Sequence, residues 1–267
     1  MKRQMLKMIP ILAMWVSIGA YAATDDQPRY ASPAEAGEHL FQAVQSNDEQ
    51  AIAKILGGPT DLTSSANGDQ DKVDREMFAK KYQEMHRLHR DADGSVTIYI
   101  GPENWPFPIP LVAKNGAWQF NPEAGSKEIM FRRIGDNELT AIATCREFVD
   151  AERHYPENPN TAEVIGSSPA SLVAKAAQGS GGGDPVLLHG YYFRALPVEP
   201  AKATPQGSHR KFVLMGYPAE YRSSGVMTFI VTENGVVYER DLGTDTSKLA
   251  GEMTTFHKDT SWHPTQD

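Results

Sequence analysis

The run from Arg132 to Tyr155, RRIGDNELTAIATCREFVDAERHY, constrains this chain more than any other stretch, because it is the longest helical pattern after the N-terminus and separates two halves of different character. At about 100° per residue, Glu138, Ala141, Ile142, Cys145, Phe148, Val149, Glu152 and Tyr155 fall on one side. Arg146, Glu147, Asp150, Arg153 and His154 fall on the other. Gly135, Asp136 and Asn137 supply a break and N-cap candidates, and Pro156 and Pro159 end the run because proline has no amide to donate. The spacing predicts a helix over about 136–155. An apolar face of that length has to be covered, so the strands on either side decide the architecture.

The beginning of the chain reads as an export signal. Lys2, Arg3 and Lys7 precede the apolar run IPILAMWVSIGAYA, which closes on Ala20-Tyr21-Ala22, so cleavage is expected after Ala22. The run is shorter than the roughly 20 residues of a membrane span and contains Pro10, and no later segment is apolar enough to span. The expected location is outside the cytoplasm: periplasmic in a Gram-negative cell, otherwise secreted. Removing residues 1–22 takes away three positive charges and no acidic residue, which changes the formal net charge from −8 to −11. Nucleic acid and anionic lipid are disfavoured as partners by that charge. Cys145 is the one cysteine, so no intramolecular disulfide can form and stability must come from buried apolar surface.

Residues 23–31 read as a leader. From 32 to 125 a first module is expected. Ser32, Pro33 and Glu35 form a helix start, followed by a stripe of Ala36, Leu40, Ala43 and Val44. Asp48 opens a second helix that Gly57, Gly58 and Pro59 end, and Val73 to Leu88 predicts a third. Asp93-Gly94 is a turn, and Ser95 to Gly101 alternates as a strand. In WPFPIP, prolines at 106, 108 and 110 remove the donors from one edge, which predicts an edge strand with Trp105, Phe107 and Ile109 facing the core. Asn115-Gly116 predicts a hairpin that brings Trp118 and Phe120 inward. Helices followed by an antiparallel sheet that closes on Gly-x-Trp-x-Phe resemble the cystatin-like, nuclear-transport-factor-like fold, which hosts enzymes, ligand binders and interaction modules alike.

The second module is expected over 128–267. Pro156 to Pro185 is rich in Pro, Ser, Asn and Gly, with a short helical pattern at Pro169 to Ala177 and a GSGGG connector at Gly179 to Gly183. Strands follow in GYYFRAL, RKFVLMGYP and GVMTFIVT, and Asn234-Gly235 turns into VVYERDL. Residues 245–256 suggest a last short helix and Trp262 a terminal anchor. A long helix before an antiparallel sheet resembles the globular part of type IV pilins and pseudopilins, although pilus assembly is not implied, since another module precedes the helix. The strings ASPAEAGEHLFQAVQSND, ENWPFPIPLV, FRRIGDNELTAI, HGYYFR, YPAEYRSSGVMTF and NGVVYERDLG together resemble the bacterial exported family called domain of unknown function 2950. That family carries no established activity, so the resemblance transfers no catalytic residue. The expected fold class is α+β.

The candidate residues follow from chemistry. His189 with Glu220 or Asp241 could serve an envelope hydrolase or modifying enzyme with its site in a cleft between the modules. Cys145 reads as a small buried hydrophobe. His86 and His89, expected one helical turn apart near Asp91 and Asp93, are the candidate metal ligands, but they match no established site, and neither a metal nor a cofactor is expected. Trp105, Tyr192, Tyr217 and Tyr221 could line a binding surface for a peptide, a glycan or an envelope protein, and only one of Tyr191 and Tyr192 can face inward. Glu138 would sit in the first turn of the central helix, where the dipole favours an anion. Glu152, among apolar neighbours, would need a cation, for which Arg194 is the expected partner. With no sharp catalytic constellation, a non-enzymatic binding or assembly role is the expectation.

Overall fold

The computed structural model describes residues 27–58, 68–154, 185–196 and 212–266. The expected export signal, Tyr155, the helical pattern at Pro169 to Ala177 and the glycine connector lie outside the described residues. The protein is α+β, with helices and antiparallel sheets in two compact units that meet in the chain at Ser126 and Lys127.

In the first unit, helix α1 (Pro33–Gln45) starts where the capping residues require. Glu35 N donates to Ser32 Oγ at 3.1 Å, and Glu35 Oε2 accepts from Ala31 N at 2.8 Å. Helix α2 (Glu49–Leu56) is capped by Asp48 and ends on Gly57 in the left-handed conformation. Helix α3 spans Gly68–Glu84. The sheet has five strands, β1 (His86–Arg90), β2 (Val96–Ile100), β3 (Trp105–Pro106), β4 (Leu111–Lys114) and β5 (Ala117–Phe120). Their order is β1-β2-β4-β5, with β3 also paired to β2. Val96, Ile98 and Ile100 alternate inward, where with Leu40, Ile52, Leu111 and Phe120 they form one core.

Two expectations for this unit are corrected. The third helix ends at Glu84, not Leu88, and His86–Arg90 is a strand. The turn at Asp91 to Ser95, where Asp91 N donates to Ser95 O at 2.9 Å, makes these polar residues the hairpin partner of β2, and ladder pairing overrides helix propensity. In WPFPIP only Trp105 and Pro106 are strand, paired to β2 alone as missing donors demand. Ile109 is 1% exposed and in the core. Phe107 is half-buried against it, and Trp105 is exposed.

The second unit is built on helix α4. The helix runs from Pro122 to His154, fourteen residues earlier than the sequence pattern predicts. Asn121 Oδ1 accepts from Ala124 N and Pro122 fits the first helical position, so the start signals lie at 121–122. Gly135 lies within the helix at the roughly 1 kcal/mol cost of an interior glycine. The sheet has six antiparallel strands: β6 (Val186–Leu188), β7 (Tyr191–Leu196), β8 (Val213–Pro218), β9 (Met227–Thr232), β10 (Val237–Asp241) and β11 (His263–Pro264), in the order β11-β10-β9-β8-β7-β6. Helix α5 (Thr246–Glu252) follows β10.

Both faces of this sheet are buried. Tyr191, Phe193, Leu214, Phe229, Val231 and Val237 pack against Ala141, Cys145, Phe148 and Val149 of α4. Leu196, Met215, Tyr217, Ile230 and Tyr238 face the other way, toward Ala250 of α5 and Trp262. That double burial explains why MTFIVT reads as a continuous apolar run, buried at Thr228 through Val231. The residues of β9 that meet α4 are Met227, Phe229 and Val231, whereas Ile230 belongs to the opposite face with Ala250 and Trp262.

Candidate functional site

Polar contacts of the second unit concentrate at one end of its sheet, where the β6–β7 turn and the β8–β9 loop meet α4. Leu188 and Tyr191 pair across a two-residue turn, His189-Gly190, whose φ angles of 44° and 75° are both left-handed, as a tight hairpin of the right twist requires. A side chain at position 190 would press on Asn137 Nδ2 at 2.7 Å and Ser224 Cβ at 2.9 Å, so only glycine fits between helix and loop. Gly190 O accepts from Ala219 N at 2.9 Å, which ties the turn to the loop. Within the loop, Glu220 O accepts from Ser223 N and Ser224 N, and Arg222, at φ 61°, donates its amide to Gly225 O at 2.8 Å.

Helix α4 fixes this loop from below. Asn137 Nδ2 donates to Ser224 O at 2.8 Å. Glu138 Oε1 accepts from Val226 N at 2.8 Å and from Met227 N at 3.0 Å. Tyr191, fully buried, donates its hydroxyl to Met227 O at 2.9 Å. Burial, and after it the Glu138 charge, pushes the Tyr191 phenol far above its usual range, so it remains a neutral donor. The same two causes raise the Glu239 carboxyl, and His263 opposes them. At its other end α4 repeats the device, where Arg153 donates to Glu233 O at 3.1 Å in the β9–β10 turn. Glu138 is therefore not a first-turn dipole residue, since the helix begins sixteen positions earlier; it is the acceptor for two loop amides.

His189, Glu220 and Asp241 are exposed and share this end of the sheet. Asp241 Oδ2 accepts from Tyr221 Oη at 3.1 Å and its Oδ1 from Gly243 N at 2.7 Å. Arg222 lies over the Tyr221 ring, 5.4 Å from its centroid. The structure thus joins Tyr221 to Asp241, and among the described residues no hydrogen bond joins His189 to either carboxylate. Cys145 is fully buried, and burial pushes its thiol up to about 12, which keeps it protonated.

The remaining candidates are dispersed. Tyr192 and Tyr217 lie with ring centroids 5.6 Å apart and tilted at 37° on the face of the sheet away from α4, with Tyr191 the inward residue of its pair. Arg194 shares their face and donates to Ala250 O and Met253 O at the end of α5. It therefore points away from α4, which carries Glu152, and the expected pair is not formed; the pleat sends Arg194 and the α4-facing residues to opposite sides. Trp105 belongs to the first unit, edge-on to Phe107. His86 and His89 sit three apart on a strand and so point to opposite faces. His86 stacks on Tyr82 and donates to its carbonyl, whereas His89 lies near Asp91. Among the described residues no group of three His, Cys, Asp or Glu side chains could hold a metal, and no helix is long and apolar enough to cross a membrane.

The first unit also has an open recess of about 450 Å³ lined by Lys72, Arg75 and Lys80 of α3. Arg75 is held there by Asn47 Oδ1 at 2.6 Å and Glu49 Oε1 at 2.8 Å, and Glu76 shares the lining, so the positive charge is largely matched.

Over the same chain, the family model described as Protein of unknown function (DUF2950) matches residues 27–182 and 165–265. The chain belongs to that family. Its matched region takes in both units, including Asn137, Glu138 and the β8–β9 loop. No curated protein and no solved structure matches the chain, so likeness to the cystatin-like and pilin-like folds rests on element order. Sequence reasoning took Asn137 for an N-cap candidate and did not single out Arg222; Asn137 lies inside α4, and its partner Ser224 is 87 residues away and leaves no local trace.

Proposed function

We propose that this is an exported, non-enzymatic binding protein, and that the β6–β7 and β8–β9 loop end of the second unit is its recognition surface for a peptide or glycan of the cell envelope. The observation that carries the reading is the pair of non-glycine residues, His189 and Arg222, held in the left-handed region on adjoining loops. Such backbone costs of order 1 kcal/mol at each position and persists only where surrounding contacts fix it. Asn137, Glu138 and Tyr191 supply those contacts from beneath, and none of the three is placed to act on a ligand above the loop. Tyr221, stacked under Arg222 and bonded to Asp241, offers an aromatic face with charged groups at its rim, a combination suited to sugar rings or peptide side chains. Export is supported by the basic, apolar and small-residue zones of residues 1–22.

Glycan and peptide arrays probed with the mature chain and with Tyr221→Ala and Arg222→Ala variants test the binding reading. Selective binding that falls at least tenfold in both variants, with melting temperature held, is expected. Equal binding by parent and variants would discard this surface. Fusion of residues 1–22 to a reporter active only outside the cytoplasm tests export, and an inactive fusion refutes it.

A further inference from the structure

The face of the second sheet that turns away from α4 carries a half-buried arginine whose charge no acidic group meets. Arg194 spends Nη2 on the carbonyls of Ala250 and Met253 at the C-terminal end of α5. Its Nε is buried without an acceptor, and its Nη1 bonds to none of the described residues. No carboxylate among the described residues stands within ion-pair distance of it. Carbonyls orient a guanidinium but leave its unit charge unmatched, and a partly desolvated charge is costly until an anion reaches it.

Two phenols stand beside this cation. Tyr192 precedes Arg194 by two positions on β7, and Tyr217 of β8 pairs with Tyr192, so all three share one face. Tyr217 is diagonal to Arg194, within reach of so long a side chain. Burial raises the Tyr217 phenol and the Arg194 charge opposes the rise, which makes guanidinium and hydroxyl electrostatic neighbours. Neither tyrosine hydroxyl bonds to a described residue, and unlike Arg194 Nε neither is sealed from solvent. Leu187, opposite Tyr192 on β6, lies on the same face and is 55% exposed.

We propose that this cluster binds the C-terminal carboxylate of a peptide whose last side chain is apolar. Arg194 Nη1 and the hydroxyls of Tyr192 and Tyr217 donate to the carboxylate oxygens, and Leu187 packs beside the last side chain. Everything unspent here can donate, so the complementary ligand is an acceptor that carries negative charge. An acidic sugar would offer the same carboxylate, but the exposed surface beside the donors is aliphatic, and Tyr217, 7% exposed, presents no open ring face for a sugar to stack on. The bonds from Nη2 to α5 hold the guanidinium in place before the ligand arrives. Tyr221 and Arg222 take no part, so this site can fail while the loop surface stands, and the reverse.

The probe is a dye-labelled tetrapeptide ending in leucine, with either a free carboxylate or a terminal amide, titrated by fluorescence anisotropy with the mature chain up to about 1 mM. The acid is expected to bind about tenfold more tightly than the amide, which gives up the charge-assisted bonds. Because Arg194 also anchors α5, this comparison on the unsubstituted chain tests its charge without disturbing the fold. Leu187→Asp sets a carboxylate beside the site at an exposed position, and should abolish binding with the melting temperature unchanged. Tyr192→Phe removes one hydroxyl and should weaken the acid about threefold while leaving the amide as it was. Equal binding of acid and amide, no binding of either by about 1 mM, or full binding by Leu187→Asp would each overturn the proposal. Tighter binding of galacturonic acid than of the peptide acid would overturn the choice of a peptide.

Discussion

Each unit has a polar side chain that anchors two backbone groups distant from it in sequence, Gln27 in the first and Glu138 in the second, and these two anchors have opposite chemistry. In the first unit Gln27, 7% exposed, donates through Nε2 to Ile55 O at 3.1 Å and Phe120 O at 2.9 Å, tying the end of α2 to the last residue of β5. In the second, Glu138 accepts from two consecutive amides at the start of β9. Carbonyls ask for a donor and amides for an acceptor, so a neutral amide serves one site and a carboxylate the other. The comparison teaches that Gln and Glu, nearly equal in shape, are not exchangeable at either place, and that the penalty for exchange should be unequal.

The largest effect is expected from Gln27→Glu. It places a carboxylate against two carbonyl oxygens in a buried position and should cost about 4 kcal/mol, the scale of an uncompensated buried charge, read from denaturant unfolding. A loss below that of Gln27→Ala would break the comparison. Next, Glu138→Ala strands the amides of Val226 and Met227 and should cost about 3 kcal/mol, whereas Glu138→Gln keeps an acceptor oxygen and should cost about 1 kcal/mol. Hydrogen exchange at those two amides separates a local loosening of the loop from global unfolding. Gly57→Ala should cost about 2 kcal/mol, since position 57 has φ 69° and its new methyl would collide with the Gln27 amide. Gly94→Ala, at a left-handed turn where a side chain meets nothing within 4 Å, isolates the backbone part of that cost.

The smallest effect sharpens the electrostatic half of the comparison. The Glu239 carboxyl is raised above its ordinary 4.5 by burial and by Glu138. The folded state therefore holds this proton to higher pH than the unfolded state does. Its contribution favours folding below about 4.5 and is lost as pH rises through the raised value. Glu239→Gln should flatten that part of the stability profile and leave the variant slightly more stable than the parent at pH 7. An unchanged pH profile would remove Glu239 from the account.

What could be read from the sequence was local. Ser32, Asp48 and Gly57 marked helix ends because a cap is written within four residues of itself. Asn115-Gly116 marked its hairpin because both positions require the left-handed region. Glycine and asparagine at 135 and 137 suggested a helix start in the middle of α4, since their helix propensity is poor. Packing and the Ser224 contact hold Asn137 in the helix all the same. Strand β1 was hidden because HRLHR has neither apolar alternation nor a buried position; its conformation is dictated by the partner across the turn. At the loop end, the sequence singled out His189, Glu220, Tyr221 and Asp241 by residue type. Their support by Asn137 and Glu138 required contacts across more than 80 residues.

Strand β1 has a consequence for how the molecule meets its own copies. It is the outer strand of its sheet, exposed at all five positions, and such an edge invites another chain to extend the ladder. Here the inviting amides are flanked by Arg87 over Tyr99, Arg90 over Trp118 and two histidines. Two copies brought edge to edge would set guanidinium groups against one another before any ladder bond could form. The basic edge thus acts as a guard against sheet-to-sheet aggregation.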